Sequence, residues 1–172
     1  SYLITQLSDY YRTSLNKGQN VITIRDEIRN AVAYMNLQLD LHDHSFRFEK
    51  EIDEGLDEQL ITINLMLQPL LENAVKHGVD KDQGTDKLIR LTVKDAGDSL
   101  VFHVFNTGSS ITEETLNSVF VEKTRGYGIR NVNERLKLLF GEEYGIRIRA
   151  VDGGTLCTII IPKATGKMEE QP

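Results

Sequence analysis

The stretch Leu67 to Gly78, LQPLLENAVKHG, leaves the chain few ways to fold around it. At roughly 100° per residue, Leu67, Leu70, Leu71, Ala74 and Val75 fall on one arc, and Glu72, Asn73, Lys76, His77 and Asp80 on the opposite one. This pattern predicts a helix with one face in a core. Pro69 fits only its first turn, where a missing N–H is no loss, and Gly78 is placed to stop it. The polar arc carries chemistry. Asn73 offers a neutral amide oxygen, a hard ligand that Mg²⁺ accepts when its other positions are water and phosphate, and Lys76, one turn on, can meet a phosphate. On these residues alone, an amphipathic helix with a solvated polar face explains the stretch equally well.

The flanking sequence predicts an alternation of helices and strands. Apolar residues at helical spacing run from Tyr2 to Leu15 (Leu3, Ile4, Leu7, Tyr10, Tyr11, Leu15), and Gly18 ends them. Thr23 with Asp26 reads as a capping-box variant. It opens a helix over 24–41 whose stripe is Ile28, Val32, Met35 and Leu39, facing either a partner or the domain's own sheet. Phe46 to Ile52 predicts a strand and 79–86 a loop. Leu88 to Lys94 alternates in a strand pattern, and Leu100 to Phe105 reads as an interior strand apolar on both faces, with His103 as a satisfied core histidine. Ser110 with Glu113 predicts a cap for a short helix through Val119, and 121–127 a basic, glycine-bearing loop. Ile129 to Phe140 predicts a helix with Ile129, Val132, Leu136 and Leu139 on its inner stripe and Gly141 as its stop. Tyr144 to Val151 and Thr155 to Ile161 pair across Asp152-Gly153-Gly154 as a hairpin, and the polar tail beyond frays.

With the motifs taken together, the chain resembles the ATP-binding domains of histidine kinases, in particular the LytS/YesM-like sensor kinases. Leu67 to Gly78 matches their N-box. Asn106 to Ile111 (NTGSSI) stands where they carry a D-x-G-x-G motif, Gly126 to Leu136 (GYGIRNVNERL) where they carry a second glycine motif, and Gly154 to Pro162 (GTLCTIIIP) closes the series. The resemblance covers about Leu7 to Pro162. It implies a Bergerat-type fold of the α/β (α+β) class, a two-layer sandwich of a mixed sheet packed on helices. A helical segment over 1–42 would lead in from the phosphoacceptor helix, with the catalytic domain over 43–163 and a polar tail over 164–172.

The same resemblance implies a site. Asn73 would hold Mg²⁺ and contribute to ATP binding, with Lys76 and His77 beside the phosphates and Glu72 polarising the incoming imidazole. Asn106 would accept from the adenine amino group, with Gly108 at the strand end and Thr155 sharing the adenine side. Lys123, Arg125, Gly126, Gly128 and Ile129 would surround the polyphosphate at a helix start, where free N–H groups and the dipole favour anions, and Arg130 adds charge. Two departures stand out. Asn106 replaces an aspartate, so its bond to the base lacks charge assistance and Asn106→Asp is expected to tighten binding, and Ser110 replaces a glycine.

The activity implied is transfer of the ATP γ-phosphate to a histidine on dimerisation helices of a homodimer, from which a response regulator takes it. None of the four histidines sits in the pattern that family gives its acceptor, so the acceptor is expected on a helix ahead of Ser1. Two rivals differ in class. An ATP-hydrolysing clamp of the gyrase or Hsp90 kind shares the fold but places a glutamate base four residues before the asparagine, where this chain has Pro69. A degenerate binding module would rest on Asn106 and Ser110.

Composition bounds these readings. The 172 residues, 40% of them hydrophobic, suffice for a sizeable core without disulfides. The single cysteine, Cys157, lies in an apolar run and reads as a buried structural thiol in a reducing compartment. A net charge of -6 without a basic tract argues against nucleic acid as the partner. The sequence holds no apolar stretch of bilayer-spanning length, so the expectation is a cytoplasmic domain whose full-length protein sits in the cell membrane.

Overall fold

The computed structural model describes residues 21–81, 84–109, 111–121 and 127–166. The element order is β1 (Val21–Thr23), α1 (Ile24–Leu41), β2 (Arg47–Ile52), β3 (Ile61–Ile63), α2 (Gln68–Val75), a π-helical turn (Lys76–Asp80), β4 (Leu88–Asp95), β5 (Ser99–Thr107), α3 (Glu113–Val121), α4 (Tyr127–Phe140), β6 (Gly145–Val151) and β7 (Gly154–Pro162). The two-layer sandwich read from the sequence is the observed architecture. A five-stranded mixed sheet in the order β2-β4-β5-β7-β6, parallel only between β2 and β4, carries α1, α2 and α4 on one face.

The strand sequences explain the layering. In β5, Leu100, Phe102, Val104 and Asn106 point into the helical layer, and Val101, His103 and Phe105 are half-exposed on the other side. The expected interior strand is found, and the reading of His103 as a core histidine is corrected. The strand is central in the hydrogen-bonded plane, but its second face is only partly covered, so His103 lies outside the core and its Nδ1 meets Thr158 Oγ1 at 3.0 Å. Two-residue periodicity cannot separate a doubly buried strand from one whose outer face carries apolar residues in partial contact with water. The hairpin between β6 and β7 turns on Asp152-Gly153, with Gly153 at φ 81°, the left-handed conformation that such a turn needs. Cys157 is buried, and burial pushes its thiol up to about 12.

Two short strands were not expected. β1 and β3 form a separate antiparallel ladder, Val21 opposite Ile63 and Thr23 opposite Ile61, and each is too short to show a period. The Ile61 N–H is bonded to the Ala164 carbonyl at 2.9 Å, so the start of the expected tail is held against β3. Helix α1 begins where the capping pattern predicts, with Thr23 Oγ1 accepting from the Asp26 N–H at 3.2 Å. Its residues Ile24, Ile28, Ala31, Tyr34 and Met35 belong to the same buried cluster as the sheet, which decides between the two readings of its stripe. The cap of α3 is Thr112, whose Oγ1 accepts from the Thr115 N–H at 3.2 Å; Ser110 and the helix predicted over 2–15 lie outside the described residues.

The start of α2 depends on one side chain from α1. Glu27, 1% exposed, accepts from the Leu65 N–H at 3.1 Å through Oε2, and through Oε1 from those of Met66 at 2.8 Å and Leu67 at 2.9 Å. Leu65 sits at φ 55°, and this left-handed residue turns successive N–H groups toward one point, an anion nest filled by the protein's own carboxyl. Burial pushes that carboxyl up to about 7, the three N–H groups and Arg135 pulling it partly back.

Because the folded value lies above the unfolded one, the bound proton's contribution to stability is full below the unfolded value and is lost as pH rises through about 7. Denaturant unfolding of the wild type is therefore expected to show this loss between about pH 5 and about pH 8, and Glu27→Gln to lack that component. Glu27→Ala, which strands buried N–H groups, is expected to cost about 3 kcal/mol.

Candidate nucleotide-binding site

Helix α2 does not stop at Gly78. After Val75 the chain continues through a π-helical turn to Asp80, and the Lys81 N–H closes it on the Lys76 carbonyl at 3.1 Å. The absent side chain at Gly78 serves contact with β5: a Cβ there would stand 2.8 Å from Asn106 Cβ and 2.9 Å from the Thr107 carbonyl oxygen. On its other side β5 meets Gly154, where a Cβ would overlap the Asn106 carbonyl. The end of β5 is thus pressed between a glycine of the π turn and a glycine of β7, and it brings Asn106 beside Thr155, its cross-strand partner.

A cleft of about 210 Å³ opens there, lined by Asn73, His77, Lys81, Asn106, Ser109, Ile111, Thr112, Thr115 and Thr155. Asn73, His77, Asn106 and Thr155 come from the sequence prediction, brought together from α2, the π turn, β5 and β7. The remaining lining residues were missed. Lys81 stood in a predicted loop; Ser109 and Ile111 were read only as part of the motif at the end of β5, Thr112 is the cap of α3, and Thr115 lies in the first turn of that helix.

Asn106 is 2% exposed, and its Nδ2 donates to the Thr107 carbonyl at 3.0 Å. That bond sets the amide's orientation and leaves Oδ1 as an acceptor without a partner among the described residues. The Asn73 amide, half-buried at the cleft, also has no protein partner among them. A buried or half-buried amide of this kind needs a ligand or water to complete it. His77 is half-buried, and burial first, then Lys81 and Lys76, holds its imidazole below the ordinary histidine range, so it is neutral at neutral pH.

Other predicted residues lie elsewhere. Glu72 is exposed, accepts from Gln68 Nε2 at 2.8 Å and does not line the cleft; Lys76 is half-buried and does not line it either. Gly108 donates its N–H to the Gly153 carbonyl at 3.2 Å, fastening the strand end to the hairpin. Ile129, 4% exposed, belongs to the core cluster, so its side chain serves packing. Gly128 lies just before it on α4, which begins at Tyr127, and a Cβ there would stand 3.0 Å from Pro69 Cβ, so the starts of α4 and α2 touch. Arg130 pairs with Glu134 at 3.0 Å. Lys123, Arg125 and Gly126 lie outside the described residues. Among the described residues no three His, Cys, Asp or Glu side chains converge as a metal set; a lone Asn73 oxygen fits Mg²⁺ only where phosphate and water supply the other positions.

A family model described as histidine kinase-, DNA gyrase B- and HSP90-like ATPase matches residues 58–165. The chain belongs to this ATPase family. Among similar members, the sensor protein LytS of Staphylococcus epidermidis is 30% identical over 97% of this chain, and the sensor histidine kinase YesM of Bacillus subtilis 31% identical over 94%. This chain spans 29% of that LytS and 27% of that YesM. The nucleotide-free catalytic domain of histidine kinase ThkA superposes with a TM-score of 0.66 over 84% of this chain and 95% of that one at 20% identity. ThkA in complex with the response regulator TrrA gives a TM-score of 0.61 over 95% of this chain and 49% of that one at 17% identity. At these identities the likeness to ThkA is one of fold.

The geometry reverses one expectation. An aspartate at 106 would lose the bond to Thr107 and set a carboxylate oxygen against that carbonyl, so Asn106→Asp is expected to lower the stability of the nucleotide-free protein by about 1–2 kcal/mol in thermal unfolding, and not to tighten adenine nucleotides. Gly78→Ala, which forces β5 and the π turn apart, is expected to cost about 2 kcal/mol in the same measurement.

Proposed function

We propose that this chain is the catalytic, ATP-binding domain of a sensor histidine kinase, which binds Mg-ATP and donates the γ-phosphate to a histidine on the dimerisation helices of a homodimer, a response regulator then receiving it. The observation that supports this reading is the convergence of Asn73, His77, Asn106 and Thr155 on one cleft. In it, Asn106 Oδ1 and Thr155 receive the adenine amino edge, and the Asn73 oxygen faces the phosphates. Bound Mg²⁺ would supply neutralisation of phosphate charge. His77 and Lys81 flank the phosphate path, with Lys76, Lys123, Arg125, Gly126 and Gly128 as further candidates. Phosphoryl transfer asks a protein mainly to position groups and offset charge, and this set does so without a nucleophile of its own.

The hydrolysing-clamp reading is disfavoured by the cleft. No Asp or Glu is among the described residues lining it, position 69 is a proline at the start of α2, and Glu72 is tied to Gln68 outside it. A hydrolysing clamp needs a carboxylate base at the water, and position 69, where such clamps place it, cannot supply one. No described helix is long and apolar enough to cross a membrane; we propose that this domain lies in the cytoplasm and that the full-length protein is held in the cell membrane.

The test is calorimetric titration with ADP, with and without Mg²⁺. The unaltered chain is expected to bind with a Mg²⁺-dependent gain, and Asn73→Ala to lose that gain, about tenfold in Kd, while its melting temperature stays unchanged. Binding with its Mg²⁺ dependence intact in Asn73→Ala would remove the proposed role of the residue.

A further inference from the structure

The π-helical turn is the least self-sufficient part of the segment that carries cleft residues. π-helical geometry is rare and occurs mostly as single turns, so outside contacts matter to where this one sits. Beyond the contact of Gly78 with Asn106 and the packing of Val79 in the core, two side chains from outside the turn hydrogen-bond to it among the described residues. Lys87, just before β4, donates from Nζ to the Val79 carbonyl at 2.8 Å. His42, at the C-cap of α1, sets Nε2 2.8 Å from Asp80 Oδ1 and Nδ1 2.9 Å from the Gln38 carbonyl. Both partners of the ring are acceptors, so the two bonds form together only with a proton on each nitrogen. The ring also stands edge-to-face with Phe46, centroids 5.9 Å apart. His42 is thereby held from three directions, and Asp80 is held through it.

The chain on either side of this contact leads directly to the cleft. His77 lies three residues before Asp80 and Lys81 one after it, and both line the cleft, whereas neither His42 nor Asp80 does. The geometry points to His42 and Asp80 as positioning residues for nucleotide binding: the pair holds the π turn so that His77 and Lys81 face the polyphosphate. This assignment rests on the reading of the cleft as a nucleotide site. The His42 and Asp80 side chains are 24% and 50% exposed, so their attraction adds little to global stability. Their effect is local placement, to which affinity in a preorganised site is sensitive.

The experiment compares Mg-ADP affinity by calorimetry with thermal unfolding of the nucleotide-free chain. His42→Ala and Asp80→Ala are each expected to weaken Mg-ADP about tenfold with melting temperature little changed, and the double variant to be no weaker than either single one, because the two residues form one contact. His42→Gln, whose amide N–H can extend toward the place of Nε2, is expected to bind within about twofold of the unaltered chain. The backbone amide resonances of Gly78 and Lys81 should move in the alanine variants and return in the glutamine one. If the alanine variants melt too low to titrate, Asp80→Asn, which keeps an acceptor and loses the charge, is expected to weaken binding about threefold. Unchanged affinity in the variants, losses that add in the double variant, or no rescue by glutamine overturns the assignment alone. Failure of the unaltered chain to bind Mg-ADP overturns the reading of the cleft and the assignment with it.

Discussion

The buried Glu27 carboxyl at the head of α2 is the contact on which the arrangement of the site depends. The three residues that lead into α2, Leu65 to Leu67, present backbone N–H groups that must be satisfied, and with Met66 and Leu67 buried they need an acceptor where water is not at hand. Glu27 supplies one from another element, tying α1 to α2 by three hydrogen bonds at the point where the chain enters the site helix. The orientation of α2, and with it the direction in which Asn73 points, is therefore set by packing of α1 on the sheet as much as by residues 67–78.

Downstream, the same helix is held at its other end. The π turn brings Gly78 against the end of β5, and Gly154 brings β7 against the same strand end from the opposite side. Close backbone approach at two glycines lets Asn106, a polar residue that would ordinarily avoid burial, sit in the interior with its amide hydrogen committed to Thr107 and its oxygen free toward the cleft. The described residues lining the cleft include no carboxylate, while Lys81 and Lys76 bear on His77. That balance suits a polyanion on a protein whose net charge is -6, since a local basic patch focuses attraction where the overall field repels.

Fold class and most elements were legible because they rest on local periodicity. The stripe of α1, the alternation of β4 and the Asp152-Gly153 turn each follow from spacing that neighbouring residues enforce, and motif order led to Asn73, His77, Asn106 and Thr155. Glu27 was not legible as a clasp: in sequence it is one acidic residue in the first turn of a helix, where such residues favour the dipole anyway. Its true partners are the N–H groups of Leu65 to Leu67, which carry no side-chain signature. The ladder of β1 on β3 escaped notice because its strands are three residues each, shorter than the window in which a period can be seen.

The sequence by itself determined which side chains could do the chemistry: an amide oxygen on a helix, an amide at a strand end, and a threonine after a glycine pair. Tertiary structure alone decided how they are used. It turned Asn106 into a fixed acceptor, moved Glu72 out of the cleft, gave Ile129 to the core and extended α2 through a π turn to Asp80. The physical reason is that residue type and spacing act within a few turns of chain, whereas burial, close backbone approach and the pairing of a lone carboxyl with distant N–H groups exist only once remote segments have packed together.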